Sequence, residues 1–194
     1  MPISKEQVSL FISIVTFVFW EPADLIHDQI ARNYKAMAKH YKIPIWVRSG
    51  WFPPIWFVLK SCVVASYFLY NEFTVTTNMD MPYMVMFALF FTNVALSKFW
   101  MPLFFRHHRY VTALVVSALV CISAWAYFGI AIANINMRPD NLYLAPALVW
   151  LPYALWLTFA TMINFQWAQA AMMHVHNGGK RWVPAAEPLL EIKP

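Results

Sequence analysis

Residues 141–173 read NLYLAPALVWLPYALWLTFATMINFQWAQAAMM and contain no Asp, Glu, Lys or Arg. A membrane-spanning helix needs roughly 20 predominantly apolar residues, so this run alone suffices for one crossing. Towards the N-terminus, Tyr110 to Met137 is likewise uncharged, and Met81 to Ser97 continues past Lys98 to Phe105. Trp51 to Tyr70 is a fourth run, interrupted by Lys60. Val8 to Trp20 is a shorter fifth, which needs its flanks at headgroup level to complete a crossing. Of 194 residues, 61% are hydrophobic and 12% charged, against roughly 45–50% and about 25% in soluble domains. The runs predict an all-α, membrane-embedded bundle of five transmembrane helices. The expected spans are roughly 6–27, 51–70, 82–105, 110–134 and 142–172, within a single domain over 1–194.

The first run is read as a helix that stays in the membrane, because Glu21-Pro22-Ala23-Asp24 follows it where a signal peptide would carry small residues for cleavage. Cys62 and Cys121 both fall inside apolar runs, which suits packing better than a disulfide.

Charge placement predicts orientation. Arg32, Lys35, Lys39, Lys42 and Arg48 lie between spans one and two, Arg106 and Arg109 between three and four, and Lys180, Arg181 and Lys193 after five. The opposite side has only Lys5 and Arg138. By the positive-inside rule the C-terminus faces the cytoplasm and the N-terminus the other side. These basic residues flank membrane helices, so contact with the lipid bilayer explains them better than nucleic acid does.

The one sizeable segment outside the spans is the loop over 22–50. Leu25, Ile26, Ile30, Tyr34, Met37 and Tyr41 recur at helical steps, predicting an amphipathic helix from Pro22 that ends before Pro44. Its Lys-rich polar face fits a helix lying in the bilayer interface. After Asn177-Gly178-Gly179 the tail over 177–194 carries three prolines and reads as loose.

Residues that could carry chemistry are sparse. No acid occurs between Met81 and Pro139 or between Asn141 and Ala186, and proton pumps need intramembrane carboxylates. No catalytic residue is assigned. Lys98 lies near enough to a helix end to snorkel. Lys60, near the middle of span two, is either held by a structural partner or serves as the counter-charge of an acidic ligand; its insertion costs roughly 2.5–3.5 kcal/mol. The histidine pairs His107–His108 and His174–His176 lack the i, i+4 spacing and carboxylate partner of a metal site, so no metal is expected. His107 and His108 are read as solvated and pointing apart on a helix, and His174 and His176 as lying where the last helix frays.

Three segments, in order, resemble the translocator protein family (TspO/MBR), also called tryptophan-rich sensory proteins or peripheral benzodiazepine receptors. Trp51-Phe52-Pro53-Pro54-Ile55-Trp56 resembles the Trp-x-Pro-Pro start of the family's second helix. Residues 93–105, NVALSKFWMPLFF, resemble its third-helix Gln-Leu-x-Leu-Asn-x-x-Trp-x-Pro-x-Phe-Phe. Residues 152–164, PYALWLTFATMIN, resemble its fifth-helix Pro-Tyr-x-x-Trp-x-x-Phe-Ala-x-x-Leu-Asn.

This resemblance implies a receptor or transport protein that binds porphyrins (haem, protoporphyrin), sterols or both in a pocket within the bundle, under a closing first loop. Porphyrin or haem would be ligand, with no other cofactor. Trp51 and Trp156 match the family's porphyrin-binding tryptophans, linked there to light-dependent porphyrin breakdown, and are expected to face each other. Trp100, Ala160, Ile163 and Asn164 match pocket or packing positions. Asn93 and Lys60 complete the candidate ligand-binding set. Ser97 stands where the family has asparagine, and Phe165 where a tyrosine would complete a sterol motif. The resemblance also implies a homodimer, for which Ala113, Ser117 and Cys121 offer a small-residue seam. It places the chain in the outer mitochondrial membrane or endomembranes of a eukaryote, or in a bacterial cell envelope. The alternative is a membrane enzyme of the sterol-isomerase (emopamil-binding) type using Glu21, Asp24 and Asp28. That chemistry needs acid–base groups deep in the bundle, and spans three to five offer no carboxylate, so binding is favoured over catalysis.

Overall fold

Within a bilayer the backbone must satisfy its own N–H and C=O groups, so long uncharged runs fold as helices. The computed structural model describes residues 27–44, 51–73, 81–135 and 144–180. The predicted first span, the N-terminal turns of the loop helix and the tail beyond residue 180 lie outside the described residues. Among the described residues five α-helices follow one another: α1 (His27–Tyr41), α2 (Phe52–Phe73), α3 (Met81–Met101, continued by a π-helical turn, Pro102–Arg106), α4 (Tyr110–Ile135) and α5 (Leu144–His176). Stretches within α3, α4 and α5, Met84–Arg106, Tyr110–Ala133 and Leu144–His176, are long and apolar enough to cross a membrane. In α2 the apolar stretch is shorter, Pro54–Tyr70. The fold is an all-α membrane bundle.

In the bundle α4 packs between α3 and α5, and α5 between α4 and α2. Large rings join α2 to α3: Tyr67 stacks on Phe90 at 4.2 Å, and Trp56 lies 6.0 Å from Trp100. One core cluster centres on Tyr67, Phe90, Tyr127 and Trp150; a second, at the end bearing the basic residues, centres on Trp100, Phe104, Tyr110 and Trp167. At 33 residues α5 is about 50 Å long, more than a hydrocarbon core of about 30 Å requires. The surplus turns carry His174 to α1, where its ring lies 4.7 Å from that of His40. The helix therefore stays intact where fraying is predicted.

α1 ends where the sequence predicts, but its apolar face meets protein rather than lipid. Tyr34, Met37, Ala38 and Tyr41 are buried in the basic-end cluster, while Lys35, Lys39 and Lys42 are exposed. This corrects the interfacial reading: the aromatic surface of Phe104, Tyr110 and Trp167 takes the place of the acyl chains. At the C-terminus, Ile43 N–H donates to Ala38 O at 2.9 Å and Lys42 N–H to Lys39 O at 3.3 Å, a Schellman cap. Lys42 sits at the left-handed position, φ 56°, which glycine occupies without steric cost. Lys42→Gly is therefore expected to stabilise by about 1 kcal/mol, about 2–4 °C in melting temperature, and Lys42→Ile to do the opposite. Thermal unfolding in nanodiscs measures both, and a lower melting temperature for the glycine variant would refute the cap.

Two further expectations change. Pro102 has no N–H to continue the α-helical ladder, so the chain widens and His107 N–H donates to Pro102 O, five residues back, at 2.9 Å. His107 and His108 thus lie in a turn rather than on a helix; His107 is exposed, as expected, but His108, at φ 51°, is 5% exposed rather than solvated. The small-residue seam on α4 is used inside the chain. Ala113 and Ser117 are buried, Ser117 Oγ–H donates to Thr161 Oγ1 on α5 at 3.2 Å, and Cys121 Sγ lies 3.6 Å from Thr158 Oγ1. Small side chains let these two helices approach closely.

Candidate functional site

Four helices converge on a cleft in the middle of the bundle. Trp56 of α2, Ser97 and Trp100 of α3, Ser117 of α4, and Ala160 and Thr161 of α5 line it. The space arises because small residues at 97, 117 and 160 face bulky indoles. It measures about 270 Å³, counting the part open to its surroundings. The interior itself has room for little more than one water-sized sphere, about 10 Å³, against roughly 300–1,000 Å³ in typical small-molecule pockets, so a rigid macrocycle enters only when lining side chains swing aside.

The indoles are held differently. Trp100 Nε1–H donates to Asn164 Oδ1 at 3.0 Å, and Asn164 Nδ2–H donates to Ala160 O at 2.7 Å. That chain of bonds fixes Trp100 against α5. The Trp56 ring lies between two others, at 6.0 Å from Trp100 and at 6.5 Å, edge to face, from Trp156. Trp156 Nε1 is buried and has no hydrogen-bond partner among the described residues, a cost of about 1–3 kcal/mol for a group left unpaired.

The hydroxyls of the lining turn into the helix contacts. Thr161 Oγ1–H donates to Ser117 O at 3.3 Å, returning the bond it receives from Ser117 Oγ. Behind Ser97, Tyr153 O–H donates to Asn93 Oδ1 at 2.7 Å, and Asn93 Nδ2 donates to Val120 O at 2.9 Å and to Ser123 Oγ at 2.8 Å. Ser97 Oγ and Tyr153 Oη are 3.2 Å apart. The phenol's one proton is committed to Asn93, so Ser97 is the donor in that pair.

The sequence-predicted residues separate accordingly. Trp100 and Ala160 line the cleft, Asn164 holds Trp100, Trp156 flanks it behind Trp56, and Asn93 anchors the polar network behind Ser97. Ile163 packs in the basic-end cluster instead. Lys60 is 5% exposed on α2, outside the described lining. Trp51 is 62% exposed at the start of α2. The expected pair of facing indoles, Trp51 and Trp156, is formed here by Trp56 and Trp156, because Trp56 is on the α2 surface that meets α5. Sequence reasoning missed Trp56, Ser97, Ser117, Val120, Leu157 and Thr161 as lining residues. The signal for Trp56 was the second tryptophan of the Trp51–Trp56 motif.

From the cleft a run of aromatic contacts leads to α1: Trp100 to Phe104 at 5.9 Å, Phe104 to Trp167 at 5.5 Å, and Trp167 stacked on Tyr34 at 5.4 Å. Burial raises the Tyr34 phenol above its ordinary pKa, so it stays protonated under this joint. Compared with known families, the sequence matches the TspO/MBR family over residues 11–169, most of its length. No curated protein and no solved structure matches it.

Proposed function

The chain belongs to the TspO/MBR family, and from that premise we propose that it is a membrane receptor or carrier for flat, rigid apolar molecules, porphyrins or sterols, held in the cleft between Trp56, Trp100 and Ala160. The observation that carries this reading is the pairing of bulky indoles with small residues around a narrow cleft where the four helices meet. Indole faces stack on planar rings with about 0.5–1.5 kcal/mol beyond the burial of area, and Ala160 leaves room for a ring beside them. Trp156 Nε1 adds a buried donor just behind Trp56, without a partner among the described residues. α1, packed over the basic end and joined to the cleft through Phe104 and Trp167, has the position of a lid.

Protein in nanodiscs titrated with protoporphyrin IX or haem should show saturable quenching of tryptophan fluorescence and a displaced Soret band, at micromolar ligand. A sterol of similar rigidity should compete. Linear, unsaturable quenching equal to that of empty nanodiscs, together with no sterol binding, would overturn the reading.

A further inference from the structure

Every described polar side chain of the cleft lining, Trp56 apart, is committed inside the protein. Ser97 donates to Tyr153, Ser117 and Thr161 clasp each other across α4 and α5, and Trp100 donates to Asn164. Val120 lines the cleft too, and its carbonyl accepts from both Asn93 and Ser123. The surface these residues present to the cleft is accordingly all carbon. No described lining residue is charged. Lys98, next to Ser97, is exposed on the outer side of α3, and Lys60 is buried outside the lining.

Resting on the reading of this cleft as the ligand site, we infer that its described walls recognise an uncharged hydrocarbon face and supply no counter-charge for an acidic ligand. A carboxylate brought against these carbon walls loses its water and meets no cation in exchange. It must stay outside the cleft or take up a proton. A ligand of the same shape with its acids masked meets neither penalty. Selectivity then rests on shape and planarity, and an acidic porphyrin is held by its ring alone, its carboxylates directed out of the cleft.

Protoporphyrin IX and its dimethyl ester share one ring and differ in charge, so they separate the two modes. Both are titrated at neutral pH into protein in neutral-lipid nanodiscs, with empty nanodiscs as the partition control. Ala160→Phe, and the milder Ala160→Leu, fill the cleft and mark the binding that belongs to it. The expected result is an ester that binds as tightly as the diacid or more so. Both ligands should lose affinity at least tenfold in the cleft-filling variants, and neither should be affected by Lys60→Met. A diacid that binds at least tenfold tighter than the ester, with the difference abolished by Lys60→Met, would overturn the inference while leaving the cleft as the site. If neither porphyrin binds, or neither responds to filling of the cleft, the porphyrin reading fails and this inference with it.

Discussion

Replacing Trp167 with alanine should destabilise the protein by about 3–5 kcal/mol and release α1 from the bundle. The side chain is fully buried. Its ring meets Tyr34 at 5.4 Å and Tyr41 at 6.4 Å on α1, Phe104 at 5.5 Å on the π turn, and Tyr110 at 5.9 Å on α4. One side chain thus fills the junction of four segments, and alanine would leave a cavity that none of them can collapse into without breaking its own contacts. Trp167→Phe should cost far less. Nε1 of Trp167 has no hydrogen-bond partner among the described residues, so phenylalanine forfeits volume but none of the hydrogen bonds described. Two measurements check this: thermal unfolding, and the rate of tryptic cleavage after Lys35, Lys39 and Lys42. Cleavage within a helix requires local opening, so the alanine variant should be cut quickly while parent and phenylalanine variant resist. An alanine variant that melts and resists trypsin like the parent would show that another contact holds α1.

Removing Trp56 should have the largest effect on ligand affinity. Trp56→Ala takes away an aromatic face and most of the apolar area on one wall of the cleft, together about 2–4 kcal/mol, thirtyfold or more in affinity. Trp56→Phe keeps a ring to stack and should lose much less. Trp51→Phe should bind like the parent, since Trp51 is 62% exposed and its place opposite Trp156 is taken by Trp56. Because the rings of Trp56 and Trp156 touch, their phenylalanine substitutions should be non-additive when combined. Affinity is read by displacement of a bound porphyrin, which avoids counting the very tryptophans removed. If Trp51→Phe weakens binding more than Trp56→Phe does, the ligand lies at the start of α2 and the cleft has been misassigned.

Where the chain meets water, its sequence carried the three-dimensional answer. The periodicity of Tyr34, Met37 and Tyr41 against Lys35, Lys39 and Lys42 marks the face of α1 that is buried, and Pro44 marks where the helix has to stop. Helix ends were legible for a related reason: charges and turn residues bound the apolar runs, so the expected 110–134 became Tyr110–Ile135 and the expected 82–105 became Met81–Arg106 with its π turn. Within the spans that contrast disappears. On α5, Leu155, Met162 and Phe165 face outward while Tyr153, Leu157 and Ile163 face inward, and all six are apolar or nearly so. Lipid tails are as apolar as leucine, so nothing in composition distinguishes the face that packs from the face that does not. Hence Trp56 rather than Trp51 meeting Trp156, the small residues of α4 facing α5, and the pairing of Ser117 with Thr161 across 44 residues were decided only when the helices packed. A residue's rotation about its helix axis is set by its neighbours, and in a hydrocarbon solvent the sequence of a single helix does not record it.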